Sequence, residues 1–240
     1  MKFIVCNNYD EMSLEAGKIV IQQIKSKSDS ILGLATGSTP VGLYKELIKA
    51  YEAGEISFKD VKSFNLDEYY PIKKSNDQSY YYFMNDNLFS HVDIKLENTD
   101  IPNGEADDAA AECLAYEERI ASSNGVDVQI LGIGQNGHIG FNEPDEYLDS
   151  ITHLTGLTQN TIEANSRFFD SIDDVPKAAL TMGIGTILKA RKIILLASGA
   201  NKREAIEALK DTRLTCNCPA TMLKLHNDVI VICDKEAYGE

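Results

Sequence analysis

The chain is poor in the residues that mark several protein classes. Its five cysteines, Cys6, Cys113, Cys216, Cys218 and Cys233, are odd in number and scattered, with no CxxC pair among them and only four histidines in the whole sequence. That excludes a disulfide framework and gives no metal-ligand spacing, because the CNC stretch at Cys216 and Cys218 lacks the second half of a ligand set. Reduced thiols in a cytoplasm are expected. Basic residues are also scarce: 37 Asp and Glu against 23 Lys and Arg leave a net charge of -14. Such a field repels phosphate backbones and anionic lipid at long range, so neither nucleic acid nor a membrane surface is expected as a partner. Met1 runs straight into KFIVC without a basic leader, long apolar core or small-residue cleavage site, and no targeting or anchoring segment is expected. There is no internal repeat, low-complexity tract or domain linker, and the small-residue loop at Thr36 to Thr39 carries neither GxGxxG nor GxxxxGK[ST]. Neither NAD nor ATP is indicated.

What is present is an alternation. Apolar runs of strand length, at Lys2 to Cys6, Ile31 to Ala35, Phe64 to Leu66, Val126 to Ile133, Lys192 to Ala197 and Val229 to Cys233, alternate with helical patterns. Those patterns fall at Asp10 to Lys25, Leu43 to Ile48, Ser79 to Phe89, Asp108 to Ser123, Ala178 to Ala190 and Ala205 to Leu209. At 240 residues, 43% of them hydrophobic, the chain predicts one α/β domain spanning 1–240. Its sheet is expected to be doubly wound and mostly parallel, with helices on both faces.

Several strands end in chemistry. VDVQILGIGQNGHIGFNEP, from Val126 to Pro144, delivers Asn136, His138, Asn142 and Glu143 from one glycine-rich loop. An imidazole and a carboxylate leaving one backbone position together suit acid/base work. Thr36, Gly37, Ser38 and Thr39 lie where a strand becomes a helix, so amides and hydroxyls can converge on an anion there, while Ser38 or Thr39 can alternatively cap the helix that Pro40 opens. Asp67 and Glu68 follow a third run. Side by side they read either as a polar strand end or as one carboxylate poised to move a proton between adjacent sugar carbons. Arg167 and Lys202 are the local cations that an anionic ligand would need.

Taken together, LATGSTPVGLY, FNLDEYY, LGIGQNGHIGFNEP, ANSRFF, SGANK and CPATMLKLH resemble the glucosamine-6-phosphate deaminase family over nearly the whole chain. The resemblance implies a Rossmann-like α/β fold and a small amino sugar phosphate as substrate. It implies conversion of glucosamine 6-phosphate and water to fructose 6-phosphate and ammonia, without cofactor or metal. It makes Asp67 the base that moves the proton from carbon 2 to carbon 1, and His138 the ring opener, with Glu143 holding the imidazole. Thr36, Gly37, Ser38 and Thr39, with Arg167 and Lys202, would hold the phosphate. The family often has Asp two residues before the histidine where this chain has Asn136, which cannot relay charge. A homo-oligomer is compatible with the resemblance, since longer members form allosteric hexamers activated by an acetylated sugar phosphate. The rival readings are a 6-phosphogluconolactonase-like hydrolase, which needs no carbon-acid base, and a non-catalytic sugar-phosphate sensor, which should carry a helix-turn-helix segment.

Overall fold

The computed structural model describes residues 1–158, 162–163, 171 and 175–240. Strands β1 (Lys2–Cys6), β2 (Ile31–Leu34), β3 (Lys62–Asn65), β5 (Thr99–Asp100), β6 (Val128–Gly132), β9 (Lys192–Ala197) and β10 (Val229–Asp234) form one sheet in the order β1-β10-β9-β6-β2-β3-β5. Every pairing in it is parallel. Residues alternate across it as the pleat requires. On β9, Ile193, Leu195 and Ala197 enter one core with α4 (Ala109–Ser122), α5 (Ile184–Leu188) and α6 (Arg203–Lys210), whereas Ile194 and Leu196 enter the other with α1 (Tyr9–Ser26), α2 (Val41–Glu52) and α3 (Tyr80–Asn87). The near-continuous apolar runs of these strands follow from burial on both faces, each Ile or Leu contributing about 1.5–3 kcal/mol.

From β2 the chain moves outward to β3 and β5, then returns to the other side of β2 and proceeds through β6 and β9 toward β10. The strand order therefore reverses between β2 and β6, which is where open α/β sheets bind ligands. These two strands share only the pairs Leu32↔Val128 and Gly33↔Gln129, while β6 and β9 share five. Beyond Gly33 they part, and a crevice opens between their carboxyl ends.

A second sheet, β4-β8-β7, is antiparallel and built from β4 (Asp67–Tyr70), β7 (His153–Gly156) and β8 (Ala178–Thr181). It corrects two expectations. The helix read over Ala178 to Ala190 is a strand followed by a short helix, α5. The strand's apolar run was taken for a helical face, although it pairs with β4 and β7 and its residues Ala179 and Leu180 are fully buried. The start of α5 is pinned instead by Ile184 and Thr186 amides on the Asp149 and Ser150 carbonyls. Likewise, Asp67 and Glu68 are not a solvated strand end: they begin β4 and are 6% and 2% exposed.

At the opposite, amino-terminal edge of the main sheet, buried Asp127 collects Lys27 Nζ at 2.5 Å, the Ile31 amide at 2.8 Å and Arg191 Nη1 at 2.7 Å. Burial opposes its charge, but these partners outweigh it and hold the carboxyl below its ordinary range. Asp127→Ala should therefore cost about 2–3 kcal/mol at pH 7. A depressed carboxyl stabilises above its unfolded pKa and loses that contribution as pH falls through its folded one. Denaturant unfolding should accordingly show the deficit shrinking toward pH 3, and a pH-independent deficit would contradict the charge argument.

Candidate active site

Four adjacent strands, β9, β6, β2 and β3, end at one cavity of about 590 Å³. It is lined by Thr36, Gly37, Ser38 and Thr39 after β2, Asp67 after β3, Asn136, His138 and Glu143 after β6, and Lys202 after β9. The structure thus brings together every sequence-predicted site residue except Arg167, which lies outside the described residues.

In the loop after β6, His138 Nδ1 stands 3.1 Å from Glu143 Oε2. Asn136 donates its amide to the same Glu143 oxygen at 2.7 Å and accepts the His138 backbone N–H at 3.2 Å. The amide thus ties acid and imidazole together. A carboxylate there would meet Glu143 as a like charge at hydrogen-bond distance and would need a shared proton. Facing a carboxylate, Nδ1 carries the imidazole proton and leaves the Nε2 lone pair unused by Glu143. Two glycines allow the geometry. A Cβ on Gly134 would lie 2.3 Å from the imidazole, and Gly137, at φ +83°, has Cys218 Sγ where its Cβ would sit, 2.2 Å away. Cys218 is therefore a packing wedge under the loop, which spacing alone could not reveal. Asn142 closes the turn by donating to the Ile139 and Met182 carbonyls, both at 2.8 Å.

Asp67 is buried, and burial first, then the Glu68 charge, pushes its carboxyl up to about 8. Glu68 points elsewhere. It accepts the Tyr69, Tyr80 and Tyr81 amides at 2.8–2.9 Å and thereby caps α3 beside Ser79. Burial still raises its carboxyl to about 7 against those bonds. This cap holds Tyr80 on the cavity wall, where it stacks on Phe141 within 2° of parallel and packs against Tyr69 at 4.7 Å. The acid is thereby backed by an aromatic, water-poor wall.

The cradle after β2 departs from one expectation. Pro40 itself is the N-cap of α2 and no side chain caps that helix, because its ring fixes the entry. Ser38 and Thr39 line the cavity instead. Two tyrosines not read as site residues brace this loop. Tyr9 donates to the Ser38 carbonyl at 3.0 Å and accepts the Gly42 amide at 2.7 Å, and Tyr44 donates to the Ala35 carbonyl at 2.5 Å. Lys202 is half-buried, pairs with none of the described residues, and burial lowers its pKa. A half-buried cation unpaired among the described residues favours an anionic ligand. No group of three or more His, Cys, Asp or Glu among the described residues is placed to hold a metal ion.

A parallel sheet with a reversal-point crevice carrying a raised carboxyl, an oriented imidazole and a lysine is the arrangement of an α/β enzyme that moves protons on a small anionic substrate. The family model for glucosamine-6-phosphate isomerases/6-phosphogluconolactonase matches residues 9–232. The chain belongs to that family. Glucosamine-6-phosphate deaminase of Thermoanaerobacter sp. (strain X514) is 56% identical over 237 residues, covering 99% of this chain and 94% of the relative. The enzyme of the same name from Clostridium perfringens (strain 13 / Type A) is 54% identical over 99% of this chain and 98% of its own. A solved structure described as a monomeric glucosamine-6-phosphate deaminase, a missing link of the NagB superfamily, superposes with a TM-score of 0.97 at 47% identity, covering 100% of this chain and 99% of that one.

Proposed function

We propose that this chain is a glucosamine-6-phosphate deaminase in which residues 1–240 act as one catalytic domain. The observation that carries the reading is the opening of Asp67, His138, the Thr36–Thr39 loop and Lys202 onto a single cavity of about 590 Å³, a volume suited to one small-molecule ligand. The phosphate sits in the amide and hydroxyl cradle against Lys202, with Arg167 as a second cation. His138 Nε2 takes the proton of the anomeric hydroxyl and returns one to the ring oxygen, breaking the C1–O5 bond and leaving an open aldehyde. Glu143 compensates the transient imidazolium, and Asn136 fixes both groups. Asp67, as carboxylate, removes the proton from carbon 2. The electron pair moves into the C1–C2 bond and displaces the carbonyl pair onto oxygen, which takes a proton from the substrate's own ammonium to give an enolamine. Asp67 then returns its proton to carbon 1, leaving an iminium at carbon 2. Water adds there, ammonia leaves, and the ketone of fructose 6-phosphate remains. The substrate's own carbonyl and amine are the electron sinks.

A lactone hydrolase would use an activated water but has no use for a buried, proton-holding carboxylate at Asp67. The solved relative is described as monomeric, which supports catalysis by a monomer here. No helix among the described residues is long and apolar enough to cross a membrane. All five cysteines are free thiols, which supports a reducing compartment such as cytoplasm. Purified protein given glucosamine 6-phosphate should release ammonia and fructose 6-phosphate in equal amounts. Hydrolysis of 6-phosphogluconolactone with no ammonia from the amino sugar would transfer the chain to the other branch of its family.

A further inference from the structure

We infer that Asp234, outside the cavity and outside every motif read above, positions Lys202 for the substrate's phosphate; this rests on the deaminase reading for its substrate but not for its anion. Asp234 ends β10 and is 5% exposed. The pairing Cys233↔Ala197 sets it opposite Ser198, the first residue after β9. Three donors converge on its carboxylate. Ser198 Oγ donates at 2.5 Å, the Gly199 amide reaches both oxygens at 3.0 and 3.1 Å, and the Ala237 amide donates at 2.8 Å at the start of α7 (Lys235–Tyr238). Three donors and no acceptor suit an acceptor-only group.

The consequence runs through the backbone. Gly199 has φ +92° and ψ 152°, a conformation that is held only where its surroundings impose it. Its carbonyl then accepts the Lys202 amide at 3.0 Å, closing the single 3-10 turn Ala200–Lys202. Asp234 therefore fixes Gly199, Gly199 fixes the turn, and the turn aims the ammonium at the cavity. A lysine on a flexible stem loses considerable rotamer entropy when it grips an anion, so a prefixed backbone spares part of that cost. Asp234 touches no substrate: it is a positioning residue that acts through Lys202.

The test is a thermodynamic cycle with two readouts, KM for glucosamine 6-phosphate and Kd for inorganic phosphate by calorimetry. Asp234→Ala should weaken both by about tenfold while kcat falls by no more than about threefold. Asp234→Asn, which can still accept from Gly199 and Ala237, should recover most of that loss. On a Lys202→Ala background, itself strongly weakened in phosphate affinity, Asp234→Ala should add almost nothing. A role in stability alone predicts lowered thermal unfolding with wild-type phosphate affinity, or equal losses with and without Lys202, and either result overturns the inference. Should Asp234→Ala fail to fold, Ser198→Ala keeps the α7 cap and carries the same test, with about threefold weakening expected and wild-type phosphate affinity overturning it. A wild-type protein that binds phosphate but leaves glucosamine 6-phosphate untouched would sink the deaminase reading and leave this cycle intact.

Discussion

Asp67→Asn should lose at least about a thousandfold in kcat while becoming more stable than the parent protein at neutral and alkaline pH. The loss follows from removing the proposed base for proton transfer between carbons 2 and 1, in a step with no second acceptor assigned. The gain follows from linkage. A carboxyl raised by burial to about 8 binds its proton more tightly folded than unfolded, so ionising it costs the folded state nothing below about pH 4 and increasingly more up to about pH 8. The amide has no such cost. Unfolding of the two proteins should coincide near pH 4 and diverge to a few kcal/mol in favour of Asp67→Asn at pH 8, or on the order of 10 °C in Tm. In the parent enzyme the same ionisation should shape kcat/KM, which should climb about tenfold per pH unit and level off near 8. The bound amino sugar's ammonium favours the carboxylate, so the limb in kcat should lie at lower pH than that in kcat/KM. An acid limb near 4 in both would mean that Asp67 is hydrated and is not held as the geometry describes.

His138→Gln should lower kcat for the cyclic substrate by about 10²–10⁴, yet spare the carbon-acid step proposed for Asp67. The two roles separate in the reverse direction, because the open ketose forms without the enzyme. In heavy water with ammonia present, fructose 6-phosphate should still exchange hydrogen at carbon 1 in His138→Gln and should not in Asp67→Asn. Loss of exchange in both would place His138 in proton transfer at carbon rather than in ring opening. Glu143→Gln should follow His138→Gln to a smaller extent, since it leaves the imidazole in place and removes the charge that compensates it.

The strands and the loops they deliver were legible because a parallel sheet buried on both faces writes itself as short apolar runs, and each run here ends in small or charged residues. Lys2–Cys6 and Lys192–Ala197 fall where the sequence puts them. Ala178–Thr181 did not, since a buried strand and a buried helix face carry the same composition, and only its pairing with Asp67–Tyr70 decides between them. Asp67 and His138 were found as chemistry at strand ends. Their supports were not: Tyr9 reaches the Ser38 carbonyl across 29 positions and Asp234 reaches Ser198 across 36. Nothing in local spacing encodes such distances. Asn136 could be named from its place in the loop, whereas its bond to Glu143 needed coordinates.

The Asp127 cluster and the cavity occupy opposite poles of one sheet, joined only by the stiff, close-packed interior between them. Substitutions that tighten or loosen the amino-terminal pole share no contacts with the acid, the imidazole or the cradle, so their free energies add to active-site changes rather than coupling to them. Heat tolerance and turnover in this enzyme can therefore evolve, or be engineered, as separate traits.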